Sequence, residues 1–397
     1  MSSSLSTVAY IYKNLYSDKQ VGDMAMRDHP TLAMCDKQSG FTGKQYNYAW
    51  RYGNPQGVSG DFATAQTGSA TSKGEQPVAV RKKKYGVIDL DGESMSACDT
   101  KGSFLDLVTQ ETDGIIEELG DSLAFDLQRS GNGIRGQRLS ASTNVITMYS
   151  QDEVRNFKVG MTVRASSNID GVTGLRVGST TVASVDQSSS TITLTSAAGI
   201  TSFADDDYLF RAGDPGTCMD GLELQFPLTA PTAGDSFRGV DRSVFVELLS
   251  GVRVADTGTS IEENAGLVAV KIAQNGKRAD CLALNPIRYW EVVRRLNAKV
   301  EYDDGGGSAN FGFEYFKIHT PAGTLKCYSD PDVPTNRGRV LNKASLYIKH
   351  LEAFTHVIRQ DGLASLRQAA ADGVEARVRS MGNLICTVPG ANGVFSI

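Results

Sequence analysis

The stretch Gln45–Tyr52 has the sequence QYNYAWRY, in which aromatic and polar side chains alternate. In a β-strand this alternation places every second side chain on the same face. The four aromatics that share the face are Tyr46, Tyr48, Trp50 and Tyr52. A second strand-like run follows at Pro77–Leu90, and residues 53–76 between the two runs are rich in Gly, Ser, Thr and Gln. The pattern therefore predicts a long two-stranded hairpin with a flexible tip.

The predicted hairpin needs support from elsewhere, because two strands alone are only marginally stable in water. A row of four exposed aromatics would also be an unusual apolar patch, so the same chain or a neighbouring copy must cover it. The one concentrated basic run, Arg81, Lys82, Lys83 and Lys84, lies in the second strand. We expect the four aromatics and this basic run to make inter-subunit contacts. Ion pairing with an acidic neighbour is favoured over a nucleic-acid clamp, because the formal charge of the chain is −5.

A long helix is predicted at Ser103–Arg129, where apolar residues recur with the period of an α-helix. The apolar positions are Leu105, Val108, Ile116, Leu119, Leu123 and Leu127. Ser103 is a suitable N-cap, and Gly131-Asn132-Gly133 supplies the stop. These glycines belong to a formal GxGxxG match, but a nucleotide-binding loop follows a strand and precedes a helix. Here the helix comes first, so the match is interpreted as a helix stop.

The composition changes at Ser140–Asp214, which is rich in Ser and Thr and contains short strand-like runs separated by turn residues. The runs are Asn144–Tyr149, Met161–Ser166, Thr180–Asp186, Thr191–Thr195 and Asp207–Ala212. This spacing is typical of a small sandwich or barrel. The sequence therefore predicts an all-β module inserted into a mixed host domain.

From Gly221 onwards helices and strands are mixed. Helices are predicted at Ser260–Asn275, Ile287–Ala298 and Leu363–Asp372, and a buried strand at Asp280–Leu284. Further strands are predicted at Phe316–Thr320, Thr324–Ser329, Arg339–Leu341, Ala344–Ile348, Phe354–Gln360, Glu375–Val388 and Gly393–Ile397. The predicted fold class is α+β.

The composition excludes several classes of protein. Of the 397 residues 40% are hydrophobic and 21% charged, which indicates a folded soluble protein and not a disordered chain. The 40 basic and 45 acidic residues argue against a dedicated DNA-binding protein. Six single cysteines without a CxxC pair argue against a zinc ribbon and indicate reduced thiols. We expect no signal peptide and no membrane span, and therefore assembly in a cytoplasm.

The sequence contains no recognisable catalytic or metal-binding motif. Asp89–Glu93 lacks the spacing of a calcium loop, and Asp205–Asp207 is typical of an acidic turn. The four histidines lie outside any zinc motif, and neither a GxSxG elbow nor a P-loop sequence is present. We therefore expect no catalytic residue, no cofactor and no metal, while a hydrolase with dispersed catalytic residues stays open as an alternative.

The order of these parts resembles the major capsid protein of tailed double-stranded DNA phages, which has the Hong Kong 97-type fold. Several local phrases add to the resemblance, each of them weak alone. They are Phe237–Arg242, Cys281–Pro286, Thr320–Gly323, Asp330–Pro334, Asp361–Leu363 and Gly382–Gly393. Their order along most of the chain carries the resemblance.

The resemblance implies an N-terminal arm, an extended hairpin loop, a peripheral domain with a long spine helix, and an axial domain. An inserted all-β domain is a departure from the simplest pattern of this family. The corresponding ranges are 1–40 for the arm, 41–96 for the hairpin loop, 97–139 and 352–397 for the peripheral domain, 140–214 for the insertion and 215–351 for the axial domain.

By this resemblance the chain would assemble into pentamers and hexamers of an icosahedral head enclosing double-stranded DNA. The glycine-rich loop with Asp303, Asp304, Gly305, Gly306 and Gly307 would lie near the capsomer axis. Implied partners are other copies of the chain, a separate scaffolding protein, a portal, a decoration protein, and DNA held without sequence-specific contact. The implied location is the virion, assembled in the host cytoplasm. An encapsulin-like compartment shell and a phage tail or adhesion protein are the other structural alternatives.

Overall fold

The computed structural model describes residues 18–69, 71–93, 101–197, 201–255, 258–296, 302–303, 315–359, 365–367 and 372–397. The chain divides into two compact units, the first from residues 1–124 and 225–397 and the second from residues 125–224. The second unit contains the predicted insertion and is longer than the predicted 140–214. The insertion itself is therefore confirmed, with wider boundaries.

The described helices and strands alternate irregularly along the chain. The helices are α1 (Asp18–Met26), α2 (Pro30–Met34), α3 (Phe62–Thr67), α4 (Lys101–Gln128), α5 (Gln151–Val154), α6 (Leu222–Gln225), α7 (Val246–Ser250), α8 (Ile261–Gln274) and α9 (Pro286–Leu296). The strands up to the end of the second unit are β1 (Asp36–Ser39), β2 (Gln45–Asn47), β3 (Trp50–Gly53), β4 (Lys73–Glu75), β5 (Val78–Val80), β6 (Lys82–Asp91), β7 (Ile134–Ser142), β8 (Val145–Met148), β9 (Thr162–Ser166), β10 (Thr180–Asp186), β11 (Thr191–Leu194) and β12 (Tyr208–Arg211). The later strands are β13 (Ser236–Phe237), β14 (Val240–Asp241), β15 (Val252–Val254), β16 (Cys281–Leu284), β17 (Tyr302–Asp303), β18 (Tyr315–Thr320), β19 (Gly323–Ser329), β20 (Arg337–Leu341), β21 (Leu346–Val357), β22 (Ser365–Arg367), β23 (Gly373–Cys386) and β24 (Gly393–Ser396).

The hairpin is present but is built differently from the prediction. β2 pairs with β5 and β3 pairs with β4, so its second arm reaches back to Lys73, into the predicted flexible tip. β6, which was predicted to continue this arm, pairs instead with β23 over its whole length. The reason is burial: Gly86, Ile88 and Leu90 form a buried face on β6, and such a face needs a body to pack against.

β6 belongs to a five-stranded sheet with the long strand β23 at its centre. β23 pairs antiparallel with β21, β22 and β6, and β1 adds in parallel to β21. The segment Ser365–Arg367 lies in the predicted helix Leu363–Asp372 but is a strand, because it pairs with Val374–Ala376. The helix prediction is therefore wrong for the residues that the structure describes.

The predicted long helix is confirmed as α4, although it begins at Lys101, so that Ser103 lies inside it and not at its N-cap. α4 packs closely against other parts of the first unit through small residues. A side-chain carbon at Gly120 would lie only 2.4 Å from the carbonyl oxygen of Ala25 in α1. One at Gly86 in β6 would lie 2.9 Å from the side chain of Ile115. Glycine therefore permits the close approach of α1 to α4 at Gly120 and of the Ile115 side chain to β6 at Gly86.

A seven-stranded sheet forms the other part of the first unit, in the order β15-β24-β20-β16-β19-β18-β17. α8 and α9 contribute to its apolar core, where Val268 and Val292 pack with strand residues such as Leu282. Ser260 and Glu263 form a capping box at the start of α8. β24 lies in this sheet and not in the five-stranded sheet of β21 and β23, so strands of the predicted range 352–397 belong to two sheets. The grouping of this range with a peripheral domain stays a prediction.

The second unit is a closed six-stranded barrel in the order β10-β11-β8-β7-β12-β9. Its core is apolar and its central members are Ile146, Val163, Ile192 and Leu209. The sequence prediction of a sandwich or barrel is thus resolved in favour of a barrel, and β7 is the strand that the prediction omitted. Without β7 the barrel could not close, because β7 pairs with both β8 and β12.

Two predictions from composition can be compared directly with the structure. The five cysteines in the described residues are all free and buried, in agreement with reduced thiols. Burial raises the pKa of the Cys35 thiol to about 11, which keeps it protonated and unreactive. Within the described residues, no helix is long and apolar enough to cross a bilayer.

Candidate assembly surfaces

The predicted aromatic row exists, and the chain itself covers most of it. The rings of Tyr46 and Tyr48 stack with centroids 6.3 Å apart, and Trp50 meets Tyr48 edge-on at 5.8 Å. Trp50 also stacks on Phe237 at 6.0 Å and donates a hydrogen bond from Nε1 to the carbonyl oxygen of Cys386 at 2.7 Å. Trp50 is only 3% exposed. Its aromatic area therefore stabilises the base of the hairpin against the same chain.

A two-residue turn between β13 and β14 makes further contacts with the base of the hairpin. Arg238 and Gly239 occupy the left-handed region, with φ of 53° and 84°. The guanidinium of Arg238 donates to the hydroxyl of Tyr48 at 2.8 Å and to the carbonyl oxygen of Leu384 at 2.9 Å. It also lies 5.0 Å from the ring of Phe237. The turn thus places one cation against two aromatic rings, those of Tyr48 and Phe237.

These contacts correct the expectation that the whole aromatic row serves a neighbouring copy. Tyr48 and Trp50 are buried within the chain and have little area left to offer, whereas Tyr46 and Tyr52 are half-buried. The sequence is compatible with a cover from the same chain or from a neighbouring copy, and in the structure the same chain covers the two central rings. An inter-subunit role for Tyr46 and Tyr52 stays a prediction.

The basic run lies at the start of β6 and not on the hairpin. Lys82, Lys83 and Lys84 pair in register with Gly382, Met381 and Ser380 of β23. Lys83 is exposed, while Lys82, Lys84 and the preceding Arg81 are half-buried. In the described part of the chain β6 pairs on one side only, and lysines on such an edge oppose unwanted strand addition.

The tip of the hairpin presents exposed apolar side chains. α3 begins after Asp61, whose carboxylate accepts hydrogen bonds from the hydroxyl of Thr64 at 2.8 Å and from its amide at 2.9 Å. These bonds lower the pKa of Asp61. The neighbouring Phe62 is 81% exposed and Val58 is 88% exposed. A single copy of the chain therefore leaves both side chains in water.

A groove of about 460 Å³ lies beside the base of the hairpin. Its apolar walls are formed by Trp50, Tyr52, Leu248, Val388 and Pro389, and its polar lining includes Arg51, Asn275 and Lys277. Arg51 and Lys277 are both exposed, so the rim of the groove is basic. The arrangement suits an apolar side chain accompanied by a carboxylate.

The predicted axis loop falls almost wholly outside the described residues. Asp303 ends the short strand β17, which pairs with the start of β18. Asp304 and Gly305–Gly307 lie outside the described range. The role of this loop at a capsomer axis stays a prediction.

The buried histidine His29 is held by hydrogen bonds on both sides of its ring. Both ring nitrogens of His29 are engaged, Nδ1 by Asp332 at 2.7 Å and Nε2 by Asp121 at 3.0 Å. An imidazole held between two carboxylates has no free nitrogen with which to activate a nucleophile. This arrangement therefore has the character of a structural ion cluster.

One group of buried side chains has the composition of a metal site. Asp126, Asp214 and Cys218 each offer a ligand atom, and these atoms lie within 4.8 Å of one another in the second unit. Arg135 already pairs with Asp214, at 3.4 Å from Nη2 to Oδ2, and its guanidinium lies 4.3 Å from the ring of Phe125. Because a cation already accompanies this carboxylate, we assign the group to the packing of the unit.

The similarity of this chain to known proteins lies in its structure and not in its sequence. No family model and no curated protein matches the sequence. A chain of the cyanophage A-1(L) capsid asymmetric unit is 10% identical, with a TM-score of 0.54 over 92% of this chain and 91% of that one. The fold is the Hong Kong 97-type capsid fold.

Other solved structures cover similar shares of the chain. Mycobacterium phage Cain gives a TM-score of 0.41 at 13% identity, over 100% of this chain and 98% of that one. The holo-SrpI encapsulin complex of Synechococcus elongatus gives 0.46 at 8% identity, over 92% and 86%. The cyanophage chain supports the Hong Kong 97-type fold, and the predicted α+β class with an inserted all-β domain is confirmed.

Proposed function

We propose that this chain is the major capsid protein of a tailed double-stranded DNA phage, which assembles through pentamers and hexamers into an icosahedral head. The observation that carries the proposal is the correspondence with the cyanophage capsid chain over 92% of the length. The correspondence extends over both units and is not limited to one domain. The sequence resemblance, which rests on the order of the parts, points the same way.

The hairpin supplies a physical reason for assembly. A ring or shell requires head-to-tail contacts, in which one surface of a copy meets a different surface of the next. The tip with Val58 and Phe62 is one such surface, and the basic-rimmed groove with Arg51 and Lys277 is its complement. Docking the tip on a neighbouring copy would remove both apolar side chains from water and bring Asp61 near the two cations.

The remaining charged features fit the same role. The exposed Lys83 and the rest of the run Arg81–Lys84 would form ion pairs with a neighbouring copy and fix its register. A chain with a formal charge of −5 would also hold packaged DNA only weakly, without sequence-specific contact. In this proposal the protein has no enzymatic activity. Its partners would be other copies, a scaffolding protein, a portal and a decoration protein, in a particle assembled in the host cytoplasm.

Electron microscopy of the purified protein tests the proposal, with expression in the presence and in the absence of the adjacent scaffold gene. Closed polyhedral shells or capsomer rings are the expected result. A protein that remains strictly monomeric under all assembly conditions contradicts the proposal. Shells that enclose a cargo protein and no nucleic acid, even when the packaging genes are present, would favour an encapsulin-like compartment instead.

A further inference from the structure

Two helices that pack on the seven-stranded sheet expose apolar side chains. On α9, Ile287 is 58% exposed and Trp290 is 65% exposed, and on α8 Leu267 is 42% exposed. Tryptophan is the residue type that most often carries the binding energy of a protein interface. An exposed tryptophan beside an exposed isoleucine therefore marks α9 as a contact surface.

The exposed face of α9 ends in a cation. Ile287, Trp290 and Arg294 are three and four residues apart, so they form one stripe along the helix, which we call the α9 stripe. Arg294 is exposed and has no ion-pair partner among the described residues. The adjacent Arg295 is paired with Glu291 at 2.7 Å. The α9 stripe thus combines two apolar side chains with one uncompensated positive charge.

The exposed face of α8 has the opposite charge. Glu263, Leu267 and the half-buried Val270 are four and three residues apart and form the α8 stripe. Glu263 is exposed, and its carboxylate accepts a hydrogen bond from the amide of Ser260 at 3.2 Å in the capping box. Within the described residues no cation pairs with this carboxylate. The α8 stripe thus combines two apolar side chains with one uncompensated negative charge.

The spacings of the two stripes match when the helices run antiparallel. Arg294 follows Trp290 by four residues and Glu263 precedes Leu267 by four residues, which is about 6 Å along each helix axis. The third member of each stripe lies three residues away in the opposite direction. A contact of Trp290 with Leu267 therefore pairs the two other apolar side chains and brings Arg294 to Glu263. It also places the negative C-terminal end of α9 beside the positive N-terminal end of α8.

The positions of the two helices on the sheet favour a contact between copies. α8 packs on β15, β24 and β20, whereas α9 packs on β19, which lies beyond β16 in the order of strands. Both stripes are exposed in a single copy, so they do not cover each other. A copy that carries two complementary surfaces at different places is suited to head-to-tail contacts.

We propose that the α9 stripe docks antiparallel on the α8 stripe of a second copy of this chain. The inference rests on the proposed function, because a ring of copies repeats one head-to-tail contact. Trp290 supplies the apolar centre of the contact, and the pair of Arg294 with Glu263 fixes its register.

Cross-linking of mixed single-cysteine variants tests the contact. Trp290→Cys protein is mixed and assembled with Leu267→Cys protein, so that a covalent dimer can form only between copies. The matched control mixes Trp290→Cys with Val244→Cys, because Val244 is 61% exposed but lies outside both stripes. The described native cysteines are buried, and the wild type gives the background reaction. With a short bismaleimide the first mixture should give at least about fivefold more dimer than the control mixture.

Each variant alone distinguishes the two ways in which copies can meet. In a head-to-tail contact like positions do not face each other, so neither Trp290→Cys nor Leu267→Cys alone should exceed the wild-type background. Dimers from Trp290→Cys alone would show that two α9 stripes meet, and they would overturn the inference. Equal dimer yields in the two mixtures would overturn it as well.

A charge exchange tests the register. Arg294→Glu and Glu263→Arg each bring like charges together, so each should raise the protein concentration needed for assembly at least about tenfold. The double variant restores the pair with its charges reversed and should assemble within about threefold of the wild-type concentration. Glu263→Arg also loses part of the capping box, so recovery in the double variant cannot come from a more stable α8. Sedimentation velocity measures assembly, and circular dichroism should show unchanged helix content in Arg294→Glu. A double variant that assembles no better than Arg294→Glu would overturn the antiparallel register.

The outcomes also separate this inference from the proposed function. Shells that form without a link between positions 267 and 290 refute the helix contact alone. Linked dimers in a concentrated protein that never forms rings or shells refute the proposed function and support the contact. A link from position 290 only to an added scaffold or decoration protein shows that the occupant is not a second copy, and it overturns the inference.

Discussion

The imidazole Nδ1 of His29 lies 2.7 Å from Oδ2 of Asp332, while Nε2 lies 3.0 Å from Oδ1 of Asp121. His29 thereby joins the segment before α2 to α4 and to the turn after β19. Burial by itself lowers the pKa of His29, but the hydrogen bonds to Asp121 and Asp332 outweigh burial and raise the pKa to about 10. His29 is therefore a cation at neutral pH and holds three separate segments of the first unit together.

Replacing His29 by Gln should lower the free energy of unfolding by about 3 kcal/mol at neutral pH, because two carboxylates lose a buried cation. The folded pKa of about 10 lies above the ordinary value of 6.5, so the stabilisation is complete below that ordinary value and is lost as the pH rises toward 10. Urea unfolding at about pH 6, 8 and 9.5 should show that the free energy of unfolding of the wild type approaches that of the His29→Gln variant as the pH rises. A difference that stays constant with pH would contradict this account.

Trp50→Ala should destabilise the folded subunit and not only its assembly. The indole is buried on Phe237 and hydrogen bonded to Cys386, so truncation leaves a cavity and an unpaired carbonyl. The expected loss is about 3–5 kcal/mol in the free energy of unfolding, the usual range for removing a buried aromatic. Trp50→Phe retains most of the packing and should lose about 1–2 kcal/mol. Urea unfolding of unassembled subunits measures both losses. Equal free energies of unfolding for the wild type, Trp50→Ala and Trp50→Phe would contradict the observed burial of the indole.

The elements that sequence analysis located well depend on local signals. The helix predicted at Ser260–Asn275 is α8, Ile261–Gln274, because its capping box and its apolar period lie within the segment itself. The strand Thr180–Asp186 has the same bounds in the structure, since short alternating runs between turns define strands in a small barrel. The spine helix is similarly clear from its period.

The errors concern partners that are distant in sequence. Alternation in Lys82–Asp91 predicts a strand, but nothing in that run identifies Gly373–Cys386 as its neighbour. The burial of Trp50 could not be predicted for the same reason, because it depends on Phe237 and Cys386, which are distant in the sequence. The assembly surfaces could be predicted even less, because the exposure of Phe62 and Val58 appears only when the whole chain is folded.

Val58→Asp should block assembly while leaving the subunit as stable as the wild type. Val58 is 88% exposed in a single copy, so a charge there meets water until the tip docks on a neighbour, where it would be buried against the apolar walls of the groove. Val244→Asp is a matched control, because the residue type and the change are the same and the side chain is likewise exposed, in the turn before α7 and outside the tip of the hairpin. We expect unfolding free energies within about 0.5 kcal/mol of the wild type for both variants.

Sedimentation velocity separates the possibilities for the tip. Val58→Asp should remain as subunits or small rings under conditions in which Val244→Asp and the wild type form shells. Equal assembly of all three proteins would show that the tip lies in solvent in the shell. Loss of assembly in both variants would show instead a general sensitivity to added negative charge.

The barrel should be removable if the deletion respects its first strand. The chain enters and leaves the barrel at adjoining positions, since a side-chain carbon at Gly221 would lie 2.2 Å from the carbonyl oxygen of Arg129. Replacing residues 131–219 by a short Gly-Ser linker should therefore leave the first unit folded. Deleting residues 144–213 instead removes β8 and β12, both partners of β7, and leaves Ile134–Ser142 as an unpaired strand. That variant should aggregate, because an unpaired strand is a template for pairing with other chains.

Soluble yield and urea unfolding compare the two deletions. A soluble variant without residues 131–219 and an aggregated variant without 144–213 would show that the first unit folds independently and that β7 belongs to the barrel. Aggregation of both would show that the first unit depends on the barrel for its stability. Shells of wild-type stability without the barrel would mean that the barrel contributes nothing to cohesion between copies.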